Sequence, residues 1–355
     1  MTAVLVTGGA GYIGSQTVLA LRDAGFAPVV LDNLSTGVRD AVPAGVPFLL
    51  GEAGDAVLVE QALGVHRAVA VLHFAASLIA PESVARPLAY WRNNLGTTLG
   101  LLEGMVAAGV PRLVLSSTAA VYGVPEALPV NEDAPCRPIN PYGASKLAAE
   151  RLAADAAAAH GLSVVTLRYF NVAGADPEGR SGRRRPGATH LVAAACDAAL
   201  GRRDAVTVYG ADYDTPDGTG VRDYIHVADL AAAHVAALRH LLAGGGSLTL
   251  NCGYGRGHSV LDVLRAAGRA AGHAVPQRPA PRRAGDPPAV VAAADRIRHQ
   301  LGWRPMHDDL DRIVADALNW ERDSAPARAT ASPRVIAAPA PAALSPIGGA
   351  AGAPA

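Results

Sequence analysis

Short apolar runs recur through the first half of the chain, each ending in small or polar positions. Val4-Leu5-Val6-Thr7, Pro28-Val29-Val30-Leu31, a run from Phe48, and residues 69–76, 112–118 and 163–167 are of this kind. Runs this short and this apolar are read as strands buried in a sheet. The stretches between them carry helical patterns: residues 15–24, closed by Gly25 as a C-cap, then about 87–109, a helix opening at Tyr142, and 190–200. Strand and helix in alternation predict an α/β fold with a doubly wound, Rossmann-type parallel sheet and a smaller α/β substrate domain.

The first run leads into Gly8-Gly9-Ala10-Gly11-Tyr12-Ile13-Gly14, spaced G-x-x-G-x-x-G, and the second ends at Asp32. Glycines in such a turn permit a tight bend, close approach of the backbone to a pyrophosphate, and close helix–strand packing. The free N–H groups of the following helix hold the phosphates. Asp32, eighteen residues after Gly14, is spaced for an adenosine ribose, and an acid there repels a 2′-phosphate. NAD is therefore predicted over NADP. Glu52, in the loop after the third strand, is where an acid meets the adenine. Ala75 and Ala76, after the fourth, leave room for a cofactor across the strand ends. His73 in that strand reads as a satisfied core histidine. Asn93 is a candidate cofactor contact and equally a polar surface residue.

Tyr142 and Lys146 lie four apart, on one face of a helix. A free phenol has a pKa of ~10, and a neighbouring ammonium lowers it, so the pair predicts a general base working near neutrality. The fifth strand ends in Ser116-Ser117-Thr118. Ligands of doubly wound sheets sit at the carboxyl ends of the strands, so Thr118 is placed to hydrogen-bond a reacting hydroxyl.

Composition adds limits. The chain has 355 residues, half of them hydrophobic, enough for a large core and two coupled domains. Formal net charge is zero, and no basic patch of the kind that tracks a nucleic-acid backbone is implied. Arg183-Arg184-Arg185 reads as a solvated loop. Cys136, Cys196 and Cys252 have neither metal-ligand spacing nor a disulfide framework, which fits a reduced cytoplasmic setting. No signal peptide and no apolar run of membrane-spanning length are expected. Residues 174–188 read as a flexible loop covering a substrate. From 323 onward the composition is Ala, Pro, Ser and Gly without periodicity, which predicts a disordered tail.

Together these segments resemble the extended short-chain dehydrogenase/reductase superfamily and, within it, the UDP-glucose 4-epimerases. The resemblance rests on the glycine turn, Asp32-Asn33-Leu34, His73-Phe74-Ala75-Ala76, Ser116-Ser117-Thr118, Val121-Tyr122-Gly123 and Tyr142 with Lys146. It continues through Arg168-Tyr169-Phe170-Asn171, the string from Asp217 to Val227, and Arg282-Arg283-Ala284-Gly285-Asp286, covering about residues 1–322. It implies a tightly held NAD contacted by Gly8, Gly11, Tyr12, Ile13, Gly14, Asp32, Asn33, Glu52 and Ala53. Phe74, Ala75, Ala76, Asn93, Tyr142, Lys146 and Tyr169 complete the cofactor set. It implies catalysis by Thr118, Tyr142 and Lys146. A UDP-sugar is then held by Thr118, Asn171, His190, Leu191, Arg222, Arg283, Asp286 and Val290. An NAD domain at 1–175, a return segment near 217–250, a UDP-sugar domain at 176–322, and a homodimer through helices near 90–108 and 142–158 follow likewise.

Four features within or against the family pattern matter. Dehydratases of the superfamily carry Asp-Glu after the catalytic Thr, whereas Ala119-Ala120 stand here and transfer no protons. That leaves reversible hydride transfer with one phenol base. Glu52 replaces the usual Asp, and His190 stands where many members have Asn. Val290 occupies the position where a bulky Tyr restricts room near C2 of the sugar, and so predicts acceptance of UDP-GlcNAc and UDP-GalNAc. Two other readings stand beside this one: an epimerase of UDP-arabinose/xylose or a UDP-uronate, and a non-enzymatic NAD-sensing or structural protein.

Overall fold

The computed structural model describes residues 1–184, 190–283 and 286–324. Its strands in chain order are β1 (Ala3–Thr7), β2 (Ala27–Asp32), β3 (Phe48–Leu50), β4 (Val71–His73), β5 (Arg112–Thr118), β6 (Ser163–Tyr169), β7 (Asn171–Ala173), β8 (Val206–Tyr209), β9 (Val221–His226), β10 (Leu248–Cys252), β11 (Gly257–Ser259), β12 (Gln277–Ala280) and β13 (Ala289–Val290). Its helices are α1 (Tyr12–Asp23), α2 (Ala56–His66), α3 (Ala80–Ala85), α4 (Pro87–Tyr90), α5 (Gly96–Ala107), α6 (Pro141–His160), α7 (Leu191–Ala199), α8 (Val227–Leu242), α9 (Val260–Ala271), α10 (Asp295–Leu301) and α11 (Leu310–Asp323).

The large sheet runs β10-β6-β5-β4-β1-β2-β3, with every neighbouring pair parallel. Successive side chains of a strand point to opposite faces. Val4 and Val6 of β1 join a core on one side with Val18 and Leu21 of α1 and Leu230 and Leu238 of α8. Leu5 joins a second core on the other side with Val59 and Leu63 of α2 and Leu101 and Met105 of α5. Helices cover both faces, so neither set of side chains meets water and the strands read as unbroken apolar runs. The architecture is doubly wound α/β.

A smaller sheet centres on β9. Its first residues pair with β11 and β13, and its later ones with β7. The chain then returns through α8 to β10 at the edge of the large sheet. The Arg183-Arg184 segment is not the solvated loop expected of it. The Arg183 guanidinium pairs with Asp197 at 3.0 Å and with Glu321 at 2.9 Å, and Arg184 lies over the Trp320 ring. Glu321 is nearly buried and needs a cation beside it, which Arg183 and Arg202 supply. Arg185, the rest of the covering loop to 188 and the tail from 325 onward lie outside the described residues, and Asp323 still belongs to α11. Among the described residues no helix is long and apolar enough to cross a membrane.

Helix α5 passes so close to the loop before α2 that a Cβ on Gly100 would stand 1.9 Å from the Gly54 carbonyl oxygen. Gly64 of α2 has nothing within 4 Å of that position. Helix propensity alone favours Ala over Gly by ~1 kcal/mol at either site. Gly64→Ala is predicted to stabilise by up to about 1 kcal/mol, whereas Gly100→Ala should destabilise by about 2 kcal/mol or more because backbone must move. Denaturant unfolding of the two variants checks this contrast, and equal shifts would contradict the close approach of α5 to Gly54.

Candidate active site

In the large sheet the chain proceeds from β1 outward through β2 to β3, then crosses back to place β4 on the other side of β1. The crevice between the carboxyl ends of β1 and β4 is where a doubly wound sheet binds a ligand. The turn after β1 presses on the segment after β4: a Cβ on Gly8, which has φ +72°, would stand 2.6 Å from the Ala75 amide nitrogen. On Gly14 it would stand 2.2 Å from the Gly8 carbonyl oxygen. Phe74 and Ala75 therefore line the same crevice as the turn, with Ala76 next in the chain.

Helix α1 starts at Tyr12 with Gly11 as N-cap, no capping side chain and no acid in its first turn. Its first N–H groups are left for an anion. Asp32, buried at the end of β2, accepts from the Ala10 and Leu34 amides at 2.9 and 2.8 Å, one per carboxylate oxygen. Each oxygen keeps a second lone pair for a ribose hydroxyl. Asn33 donates to both Glu52 carboxylate oxygens at 3.1 and 3.0 Å, with buried Ala53 next in the chain. An anion-binding helix start, glycines that leave no bulk over it and an acid at the second strand end fit NAD.

Thr118 ends β5 and is paired in register with Tyr169 at the end of β6. Its hydroxyl accepts from the Ala120 amide at 3.1 Å. Pro141 opens α6, Asn140 caps it by accepting from Gly143 N at 2.9 Å, and the Ser83 hydroxyl accepts from Tyr142 N at 3.1 Å. These caps fix where the phenol stands. Burial raises the Tyr142 pKa, and the Thr118 hydroxyl beside it pulls the other way. Burial also pushes Lys146 down to about 8, against the Glu150 carboxylate. The lowered phenol pKa expected of the pair is thus not a property of the chain alone, because the cost of burying the phenolate outweighs the opposing pull of Thr118. Burial raises Tyr169 as well. His73 is pushed down to about 3 by burial and then by Lys146, and its ring nitrogens meet Thr7 at 2.7 Å and Thr98 at 3.3 Å. It is a neutral, satisfied core histidine.

Asn93 lies in a π-helical turn at Trp91–Leu95, with its amide on the Ser77 hydroxyl at 3.0 Å. The neighbouring Asn94 was not singled out by sequence. Buried, it accepts from Ser77 N at 2.7 Å and donates to Ser77 O and to Ser145 of α6. Ser145 lies inside the Tyr142–Lys146 motif, and its position there is the signal that sequence offered. Ser83 and Glu150 carried no such signal, and Arg168 appeared only as part of the resembling string. Arg168 holds Glu150 at 2.7 Å with both side chains buried, and Ser117 donates to the same carboxylate. Tyr12 also reaches across, donating to Gly174 O at 2.6 Å, while Gln16 donates to Asp176.

Of the remaining residues assigned by sequence, Asn171, Arg222 and Val290 lie on the smaller sheet, Arg283 lies against β8 of a separate two-stranded β8–β12 sheet, and His190 and Leu191 are at the start of α7. Asn171 begins β7 and pairs with Tyr224, while Arg222 of β9 pairs with Val290 of β13. Asn171 is exposed and Val290 buried. Arg222 forms an ion pair with Asp286. Arg283 lies 3.8 Å over the Tyr209 ring. His190 is the exposed N-cap of α7, and Leu191 is its first residue. Two clefts, of about 670 and 570 Å³, lie elsewhere, one between α6 and the β10 edge and one between α1 and α8. Neither is lined by Tyr142.

A family model described as the NAD dependent epimerase/dehydratase family matches residues 4–253. The UDP-glucose 4-epimerase of Azospirillum brasilense is 60% identical over 319 residues, covering 90% of this chain and 92% of that protein. A crystal structure of UDP-glucose 4-epimerase from Brucella ovis in complex with NAD superposes with a TM-score of 0.87 at 47% identity, over 90% of this chain and 98% of the other. The Stenotrophomonas maltophila enzyme, with bound NAD and formylated UDP-arabinopyranose, gives 0.89 at 40% identity, over 92% and 100%. With its glycine turn in the β1/β4 crevice and this extent of match, the chain belongs to the NAD dependent epimerase/dehydratase family.

Proposed function

We propose that the chain is an NAD-dependent UDP-glucose 4-epimerase, interconverting UDP-glucose and UDP-galactose. The observation that carries this is Thr118 at the end of β5 with Tyr142, at the start of α6, beside it, and only Ala119-Ala120 where elimination chemistry needs an acid and a base. The high identity to relatives of that name supports it. NAD⁺, when bound, supplies a positive charge and a reversible hydride acceptor for oxidation at C4 of the sugar to a 4-keto form. Gly8, Gly11, Tyr12, Ile13, Gly14 and Asp32 hold its pyrophosphate and ribose. Tyr142 takes the proton of the sugar 4-hydroxyl and later returns it, and Thr118 aligns that hydroxyl. Lys146, as the ammonium, stabilises the phenolate. Asn171, Arg222 and Arg283 grip the diphosphate with charge-assisted bonds, so that the sugar turns over while the nucleotide stays fixed. Asp286 accepts from the uridine ribose, and His190 and Leu191 sit on the uracil side. Residues 1–175 with the return segment at 217–250 serve the cofactor, and 176–322 the sugar nucleotide.

The sugar range extends, in this reading, to UDP-GlcNAc and UDP-GalNAc, because Val290 is small and stands in register with Arg222. The active form is a homodimer. Leu88 of α4, Trp91 in the π-helical turn and Leu99 and Val106 of α5 are exposed apolar side chains with 76%, 37%, 46% and 37% of their surface open. A second copy would cover them. In this reading the enzyme works in the cytoplasm, a setting in which its three free cysteines stay reduced.

Purified protein should convert UDP-galactose to UDP-glucose without added NAD, and Tyr142→Phe should lower kcat by about a thousandfold while retaining NAD. No turnover by the wild type, or an active Tyr142→Phe, would overturn the reading. A panel of UDP-sugars settles the range: no conversion of the acetylated pair would refute the role of Val290. Light scattering should give twice the chain mass of 36.1 kDa. Lys146→Met should abolish turnover yet stabilise the NAD-free protein. Below pH 8 the wild type carries the full cost of a buried ammonium, roughly 3 kcal/mol, and that cost disappears as pH rises from about 8 to 10.5. Thermal melts across this range check the sign, since the gap between variant and wild type must shrink as pH rises.

A further inference from the structure

Three of the residues assigned to the substrate lie on three strands that meet on one: Asn171 on β7, Arg222 on β9 and Val290 on β13. The joint between β9 and β13 is short, with only Ala289 opposite Val221 and Val290 opposite Arg222. A two-residue ladder holds a strand poorly by itself. The side chain that continues the joint is Asp223, fully buried beside Arg222 in the chain.

The Asp223 carboxylate is held by backbone amides. It accepts from Tyr254 N at 3.0 Å, Gly255 N at 2.8 Å and Ala292 N at 3.2 Å. The last of these lies two residues past Val290, where the ladder has ended. The fit is close, since a Cβ on Gly253 would stand 2.8 Å from a carboxylate oxygen of Asp223 and equally near the Ala292 side chain. Tyr254 is fixed in turn, its hydroxyl donating to Asp229 at 2.6 Å and its ring stacked on Trp303. On the far side, Val130 N donates to Val291 O and Ala293 N to Val130 O, both at 2.8 Å. The strand bearing Val290 thus sits between residue 130 and a carboxylate.

We infer that Asp223 is a positioning residue for the sugar nucleotide: by accepting the amides of Tyr254, Gly255 and Ala292 it locks β13 and the 253–255 loop against β9, and so sets the spacing between Arg222 and Val290. The inference rests on the proposed UDP-sugar site. Asp223 takes no part in the proton or hydride chemistry and lies apart from the NAD crevice. Removing the carboxylate should therefore loosen the grip on the nucleotide sugar and leave the chemical step and the cofactor in place.

Asp223→Asn keeps the shape but replaces one acceptor oxygen by an amide donor, so that at least the Tyr254 N–H held by Oδ1 meets a donor and the remaining amides lose a charged acceptor. The expected result is a KM for UDP-galactose raised about tenfold or more, kcat within about threefold of wild type, and unchanged NAD content. In an Arg222→Ala background the same change should cost much less, since the spacing it sets no longer serves an arginine. A fall in kcat and NAD content with KM unchanged, or full additivity with Arg222→Ala, would overturn the inference and show a merely structural role. Should Asp223→Asn not fold, amide hydrogen exchange on the wild-type holoenzyme decides the matter. UDP binding should protect peptides covering 253–255 and 291–293, because a ligand that gains from the locked state must stabilise it. Unchanged exchange there on UDP binding would refute the inference. Absence of UDP-sugar turnover by the wild type would instead refute the function it rests on.

Discussion

The place where β1 and β4 part fixes everything else at the site. Because the chain reverses its direction of travel across the sheet there, two loops that would otherwise be neighbours in a row open a crevice between them. The glycine turn closes one wall of that crevice against Phe74-Ala75 so tightly that Gly8 admits no side chain. The helix start aimed into it offers uncapped N–H groups. A pyrophosphate answers both constraints at once, and the acid on the next strand end selects an unphosphorylated ribose. The groups proposed to react follow from the same geometry, since β5 and β6 end on the same edge and α6 is capped so that its second residue, Tyr142, faces Thr118.

That placement has an energetic cost in the free chain. Tyr142 and Lys146 are both driven toward their neutral forms by burial, and Glu150, already committed to Arg168 and Ser117, offsets only part of this for the lysine. A base that works near neutrality needs a charge to complete it, and a bound nicotinamide cation is of the right sign. The proposed catalytic pair is therefore incomplete without its cofactor, which fits an enzyme that keeps NAD through its cycle.

Much of this was legible in the amino-acid order because it is local. The glycine turn, Asp32, the hydroxyl-ended fifth strand and the Tyr–Lys spacing all lie within single βα units, and strands buried on both faces announce themselves as apolar runs. What the order concealed is carried by partners distant in the chain. Arg183 looked solvated because its anchor, Glu321, comes 138 residues later. Ser83, 59 residues before Tyr142, gave no hint that it caps that helix. Asn94 was passed over for its neighbour because only the π-helical turn shows which of the two is buried. Asp223 lies inside the string from Asp217 to Val227, yet its role appears only when the 253–255 loop and residue 292 are brought to it.

In the proposed mechanism hydride leaves C4 of the sugar and returns to the same carbon, with a single phenol base handling only the hydroxyl proton. Turnover of UDP-[4-²H]galactose in ordinary water, followed by mass spectrometry of the UDP-glucose formed, tests this most directly. Deuterium retained in full at C4 is the result predicted. Replacement of that deuterium by solvent hydrogen would contradict it, because inversion would then proceed through proton loss from carbon or through an elimination for which Ala119-Ala120 supply neither acid nor base.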